Sequence, residues 1–515
     1  MAEGGAHLRL VAAAWALVRA DALAPRELDP LMPAGVRAVA GVLRLFSGSA
    51  ARRGRPGERL ALALERQGPV AIKLGQFLST RADIFGIAFA EDLSRLKDRL
   101  DPFPVAEARA EVAAALGRPV ESLFPEFGEA VAAASLAQAH RARLADGREV
   151  AVKVLRPGIE KRVASDVAAL RTAAALVESW APASRRLEPR AFAETVVRAL
   201  ELELDLRFEA AGADELRGVM AHDGYMRGPA VVWEGVAKRV LTLEWAPGAP
   251  LSDPASLDAE GLDRPALANN LTRAFLAQAL DHGVFHADLH EGNLFAAPPA
   301  RLTAVDFGIV GRLGPAERRY LAQILWGFLR RDYAMVSAVH FDAGYVPAQH
   351  DQAAFAQALR AVGEPVFGRT ASDVSMGRLL AQLFEITALF DMRLRPELVL
   401  LQKTMVTVEG VARRIDPKHD IWAAAEPVVR RWILRELSPA TQVREFVRDA
   451  RAALSAFAKL AEREAELDAE AAAAQPPSAA PAEPPERTHP GVWFAFGAAA
   501  SALSFALAMA YFHGH

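Results

Sequence analysis

One short stretch limits the fold more than any other. "AQAHRARLADGREVAVKVL" (residues 137–155) holds two runs of β type on either side of Asp146-Gly147. An Asp-Gly pair between such runs signals a hairpin, because glycine accepts the positive φ that a tight turn demands. Almost everything around it reads as helix: 55–125 with short breaks, two long stretches at 159–180 and 190–221, then 265–283, and nearly all of 315 to about 470. Two further places read as β. "AVVWEGV" and "KRVLTLEW" form a second strand pair ended by "APGAP", and "LFAAPPARLTAVDFGIV" forms another short hairpin. No repeat of solenoid period is visible. The expectation is an α+β, two-lobed chain, with a small β-containing lobe, a short connector and a large helical lobe around a cleft.

With 515 residues, 52% of them hydrophobic, the chain can bury more than one domain. Its formal net charge of −3 argues against a general nucleic-acid binder. It has no cysteine, which excludes disulfides, thiolate zinc sites and cysteine nucleophiles, and fits a reducing compartment. Near the start, "LRLVAAAWALVRADAL" is too short in its apolar part to span a bilayer and reads as an amphipathic helix, packed on the body or lying on a membrane. The other end differs. Gly491 to Phe512 carries no charge, has Trp493 and Tyr511 at its edges, and holds the small pair Gly497 and Ser501. It follows a Pro- and Ala-rich linker at 471–490. A transmembrane helix over 491–512 is expected, with three residues beyond it and the large domain in the cytoplasm.

The polar segment "HADLHEGN" places Asp288 five positions before Asn293, and "DFG" brings Asp306 eighteen positions after Asp288. Phosphoryl transfer with magnesium needs such a set: one carboxylate to orient or deprotonate the attacking oxygen, and an amide oxygen and a second carboxylate to hold metal against phosphates. Each residue alone could be a turn former, but the joint spacing points to a nucleotide–metal site with Asn293 and Asp306 as Mg²⁺ ligands and Asp288 as the catalytic acid–base group. His286 and His290 lack a third metal ligand and read as structural groups that bond and orient the loop. In "REVAVKVL", Lys153 sits on a strand among apolar residues, as a phosphate-reaching lysine does. Its anionic partner belongs on a helix, and "ELELDLRFEAAGADELR" offers Glu201, Glu203, Asp205, Glu209 and Glu215. On one continuous helix Asp205 and Glu209 share a face and Glu203 lies about 120° away, so one helix could serve two cations. Glu201 and Glu215 read as solvated. The phosphate loop lacks the expected glycines: Ala132, Ala133, Ala134 and Ser135 stand there, stiffer than glycine would be. Glu244 and Trp245, where the later strand runs into "APGAP", are counted with these four and Lys153 as nucleotide-binding candidates.

With these residues in line, the chain resembles the UbiB/AarF family of atypical, protein-kinase-like proteins linked to ubiquinone biosynthesis. The likeness runs from about 65 to about 440 and rests on "KLGQ" (Lys73 to Gln76) with "FLSTRADIF", on "AAAS", on "ELD" (Glu203, Asp205), and on "VEGVARRIDP". It implies a protein-kinase-like fold in five parts: a helical N-terminal extension (1–125), an N-lobe (126–250), a mostly helical C-lobe (251–470), the linker (471–490) and the membrane helix (491–512). It implies ATP and Mg²⁺ as cofactors, ATPase or kinase activity, and Lys153 paired with Glu209. It also implies a regulatory group of Lys73, Gln76, Glu203 and Asp205, in which Lys73 approaches the two acids. Implied too are residence at the cell inner membrane and, as partners, lipid or quinone intermediates and enzymes of ubiquinone biosynthesis, with no nucleic acid. One departure is "SLAQAH" where the family has "SIGQVH". Two other readings stand beside this one: a nucleotide-binding scaffold for biosynthetic enzymes, and a small-molecule phosphotransferase, in which H-x-D-L-H-x-x-N also occurs.

Overall fold

A computed structural model of the chain describes residues 12–22, 34–48, 54–79, 101–180, 188–258, 261–367 and 396–436, with single positions between 89 and 96 and between 386 and 392. The linker at 471–490 and the apolar run at 491–512 lie outside the described residues. No helix among the described residues is long and apolar enough to cross a membrane. Of the N-terminal amphipathic stretch, residues 12–19 are helical. Val18 is buried there, while Trp15 stays half exposed against Phe46.

Helices α1 (Ala34–Arg44), α2 (Pro56–Glu65), α3 (Pro69–Ser79) and α4 (Val105–Leu116) precede the sheet. The sheet is an antiparallel meander of β1 (Glu126–Ala133), β2 (Ala137–Arg143), β3 (Glu149–Leu155) and β4 (Val240–Glu244), paired in that order. The Asp146-Gly147 hairpin forms as its sequence demands, with Gly147 at φ 89° and its N–H bonded to the Leu144 carbonyl. Side chains alternate across β3: Val150, Val152 and Val154 enter a buried cluster with Phe124, Val112 and Val240, while Lys153 faces the other way.

Between β3 and β4 run α5 (Ile159–Trp180), α6 (Pro189–Glu203) and α7 (Leu206–Asp223). This corrects the single helix expected over 190–221. The chain breaks at Leu204 and Asp205, and Asp205 becomes the N-cap of α7, accepting a bond from the Arg207 N–H. A short polar side chain that can cap competes with helix continuation, which periodicity alone does not register. The second correction concerns "AVVWEGV". Its first three residues do pair with β4, through the Val231–Leu243 bridge and the bonds from the Val232 N–H to the Thr242 carbonyl and from the Glu244 N–H to the Ala230 carbonyl, but Trp233–Gly235 is a 3₁₀ turn. The Thr242 hydroxyl donates to the Gly235 carbonyl at 2.9 Å, satisfying backbone that a strand would have paired.

The larger lobe follows: β5 (Ala249–Pro250), α8 (Arg264–Ala277), a wide π-type turn at Gln278–His282, and β6 (Val284–His286). After these come β7 (Leu294–Ala297), β8 (Arg301–Ala304), β9 (Val310–Arg312), and helices α9 (Pro315–Arg330), α10 (Tyr333–Asp342), α11 (Gln352–Phe367), α12 (Pro396–Ile415) and α13 (Ile421–Glu436). The hairpin expected at 294–310 forms as β7–β8. A continuous core runs from α3 through α7 and α8 to α13. Phe285 and Phe275 meet edge-on within it at 5.8 Å, each fully buried and worth roughly 1.5–3 kcal/mol of burial. That packing fixes β6, which delivers the polar loop at 286–293.

Candidate active site

Three charged side chains converge in the cleft. Lys153 Nζ lies 2.8 and 2.9 Å from the two carboxylate oxygens of Glu209 and 3.4 Å from Asp306 Oδ1. β3 supplies the lysine from its cleft face, with Ala139 and Leu241 as its cross-strand neighbours. Helix α7 supplies Glu209 in its first turn, one turn after the Asp205 cap. The helix sits close to the DFG segment because residue 212 is glycine: a Cβ there would lie 3.1 Å from Val310 Cγ2 and 3.5 Å from the Phe307 carbonyl. Phe307 is buried, while Asp306 is half exposed with its backbone in the left-handed region at φ 62°. A non-glycine residue held there carries local strain, a feature that clusters at functional sites.

The electrostatics follow from one cation between two anions. The Lys153 charge, 3.4 Å away, holds Asp306 down at about 2. Burial pushes Glu209 up to about 7, opposed by Lys153 and assisted by Asp306. Burial alone would lower the lysine, but the carboxylates of Asp306 and Glu209 outweigh it and keep the ammonium protonated.

The polar loop is built around a histidine. His286 is fully buried, and burial lowers its pKa, so the ring is neutral near pH 7. Nδ1 accepts the Asp288 N–H at 3.2 Å, and Nε2 donates to the Val305 carbonyl at 3.1 Å. One ring thereby joins the loop to the residue before Asp306. A second link is the Val305 N–H donating to the Asn293 carbonyl at 2.9 Å. The Asn293 amide donates to the Asp288 carbonyl at 3.1 Å, which leaves its oxygen as the group able to ligate a cation. His290 accepts the Gly292 N–H through Nδ1 and sets Nε2 3.7 Å from Asp288 Oδ2. An amide oxygen and a carboxylate that stays ionised form the hard oxygen donor set suited to Mg²⁺.

A second lysine pair lies on the other side of the helix break. Lys73, on α3, is 2.6 Å from Glu203 at the end of α6. Asp205 is held by Arg207 at 2.6 and 2.8 Å as well as capping α7. Two helix termini, rather than two faces of one helix, therefore present the acids. Gln76 is half-buried on α3, and its carbonyl accepts the Ser79 hydroxyl at 2.6 Å. Glu201 is exposed, and Glu215 forms an exposed pair with Arg312.

In the alanine-rich stretch, Ala132 and Ala133 end β1, Ala134 begins the turn and Ser135 is buried. No positive φ falls on these four residues, so the turn does not require glycine. Ala137, at the position of the family's glycine, is buried at the start of β2 opposite Leu155. Glu244 and Trp245 lie where the chain leaves β4. Glu244 is exposed, its N–H bonded to the Ala230 carbonyl, and Arg141 stacks over the Trp245 ring at 4.9 Å.

Residues 95–340 match the ABC1 atypical kinase-like domain, and 359–420 match the UbiB helical domain. A protein of Marinobacter nauticus named "Probable protein kinase UbiB" is 40% identical over 388 residues, 74% of this chain and 71% of its own. A protein of the same name from Xanthomonas euvesicatoria is 41% identical over 401 residues, 76% of this chain and 72% of its own. The chain belongs to the UbiB family. Among solved structures, the Mycobacterium tuberculosis protein Rv3197 in complex with erythromycin matches 77% of this chain and 98% of its own at TM-score 0.52 and 23% identity. That likeness shows the fold, which is kinase-like with mixed helix and sheet.

Several residues that shape this UbiB-family site were not singled out from sequence. Gln138, 1% exposed, accepts from the Phe103 N–H at 2.8 Å and donates to the Phe103 carbonyl at 3.0 Å and to His140 Nε2 at 2.8 Å. Arg156 donates to the Ala134 carbonyl at 3.0 Å and to the Asp101 carbonyl at 2.9 Å. Together they tie residues 101–103 to the alanine turn. On the opposite side, buried Thr404 of α12 donates to the Ala287 carbonyl at 3.0 Å, and Arg414 pairs with Glu291. The available signal was polar residues at inward-facing strand positions, Gln138 and His140, in a segment that otherwise buries alanine.

Proposed function

We propose that this UbiB-family protein binds ATP with Mg²⁺ and uses it, as an ATPase or phosphotransferase, in support of ubiquinone biosynthesis at the membrane. The observation that carries the reading is Lys153 held between Glu209 and Asp306 at the mouth of the loop bearing Asp288 and Asn293. A lysine already fixed by one carboxylate meets phosphate oxygens without first losing side-chain freedom. Asn293 and Asp306 would hold Mg²⁺, which when bound supplies charge neutralisation for the phosphates. Asp288, its backbone fixed by His286 and Asn293, takes the proton of the attacking hydroxyl or water. Ala132–Ser135 line the phosphate side, with Glu244 and Trp245 at the end of β4 serving the rest of the nucleotide.

The remaining elements follow from the family and the sequence. The uncharged run at 491–512 anchors the chain in the cell inner membrane with the kinase-like part on the cytoplasmic side, and lipid or quinone intermediates and their biosynthetic enzymes are the partners. Lys73, Gln76, Glu203 and Asp205 set the position of the N-terminal extension and so regulate access. Isothermal titration of the full chain with ATP, with and without Mg²⁺, tests the core of this reading. Binding that needs Mg²⁺ and is lost in Asp306→Asn supports it, and binding indifferent to both rejects it.

A further inference from the structure

Away from the cleft, the last turn of α7 meets the π-type turn at Gln278–His282. His222 Nδ1 lies 3.4 Å and His282 Nε2 3.3 Å from the same oxygen, Asp223 Oδ1, and one ligand atom from each of the three residues lies within 4.8 Å of the other two. The imidazoles stand edge to face, ring centres 5.2 Å apart and planes at 78°. We propose that His222, Asp223 and His282 form a binding site for a divalent transition cation, zinc by preference, which clamps α7 to the segment that feeds the polar loop.

Three observations support the site. The Asp223 side chain is only 6% exposed, and its Oδ2 is among the buried polar atoms without a hydrogen-bond partner. A buried carboxylate oxygen in that state is costly unless a cation compensates it. The spacings are long for hydrogen bonds, but two ligands about 2.05 Å from zinc at a tetrahedral angle stand about 3.3 Å apart. Two imidazoles and one carboxylate make a borderline donor set that prefers zinc to magnesium and leaves a fourth position for water. Asp223 and His222 also close the C-terminal end of α7, where the helix dipole favours positive charge. His222 is 74% exposed and His282 23%, so the site opens to solvent on one side.

The position gives the cation a task. Helix α7 carries Glu209 near its start, and the π-type turn leads through β6 to His286 and Asp288. Joining the two elements restricts the movement of one against the other without touching nucleotide.

The test is equilibrium dialysis of tag-free, chelator-stripped full chain against buffered zinc, with cobalt as the spectroscopic probe. The proposal expects one tight equivalent, a tetrahedral cobalt spectrum, and slower amide exchange over 278–286 when zinc is added. Loss of outer partners at metal sites already costs roughly 10–100-fold in affinity, so removal of a ligand in His222→Ala or His282→Gln should cost at least that. His222 is exposed, so its loss leaves folding intact. Asp306→Asn, which alters the nucleotide cleft alone, should leave the tight equivalent in place. Absence of a tight equivalent, equal binding by wild type and His222→Ala, or loss of the equivalent in Asp306→Asn would each overturn the assignment.

Discussion

Two lysine–glutamate pairs stand on either side of the Leu204–Asp205 break, and they differ in what surrounds them. Lys153 and Glu209 have a third charge beside them, Asp306 at 3.4 Å, and the group opens to the cleft. Lys73 and Glu203 connect the extension to the end of α6, both side chains largely buried at 13% and 21% exposure. The first group places two anions about one cation, and an added cation with phosphates can complete it. The second sets one cation against one anion. Similar bond lengths, 2.8 and 2.6 Å, thus sit in different charge surroundings.

Substitutions can break this contrast, beginning with the largest effect. Asp288→Asn should reduce turnover by about 10²–10⁴-fold, the range for loss of a general acid–base group. Its Mg·ATP affinity should hold within about threefold, as read by phosphate release and calorimetry on the same preparation. Asp306→Asn should weaken Mg·ATP binding by about 10²-fold, since it removes a charged ligand. An unchanged dissociation constant would remove Asp306 from the metal site.

Lys73→Met should behave differently. A double-mutant cycle with Glu203→Gln should show coupling of about 1–3 kcal/mol in stability, and each single variant should bind Mg·ATP nearly as tightly as wild type. If Lys73→Met abolishes nucleotide binding, the two pairs are not separate devices.

The pH dependence is smaller and has a definite sign. Burial raises Glu209 from 4.5 to about 7, so between those values the folded protein holds a proton that the unfolded chain has released. Stability attributable to this group therefore falls as pH rises from 4.5 through 7. Asp306, lowered to about 2, acts in the opposite sense: its stabilisation is present above 3.8 and fades as pH falls toward 2. Thermal midpoints at pH 5 and pH 7.5 should diverge less in Glu209→Gln than in wild type, and an identical divergence would show that Glu209 is not the titrating group. The smallest effect belongs to Ala133→Gly. The turn already has ordinary φ values, so glycine adds freedom rather than relieving strain, at a cost of about 1 kcal/mol or less. A shift of a few-fold in the ATP-to-ADP affinity ratio is expected from competition binding.

Much of this was readable in the residues, and the failures have physical causes. The Asp146-Gly147 hairpin, the β7–β8 hairpin and the placement of Lys153 on the face of β3 opposite Val152 and Val154 follow from local turn chemistry and strand alternation, both short-range properties. The D-x-x-x-x-N and DFG spacing marked groups on two connections, Asp288 and Asn293 between β6 and β7 and Asp306 after β8. Periodicity alone predicts no break at Asp205, because the helical pattern in "ELELDLRFEA" continues across a residue whose side chain caps instead. "AVVWEGV" has strand composition, but the Thr242 hydroxyl takes a carbonyl that a strand partner would need. Gln138, Arg156 and Thr404 act through contacts distant in sequence, 35 residues for Gln138 and 117 for Thr404, which no local pattern encodes.

Phosphate release from Mg·ATP by the full chain in liposomes, compared with Asp288→Asn, tests the catalytic reading of the loop. Steady turnover by wild type that needs Mg²⁺ and disappears in the variant while ATP still binds is the expected result. Turnover that persists undiminished in Asp288→Asn would contradict the role given to the loop and, with it, the site.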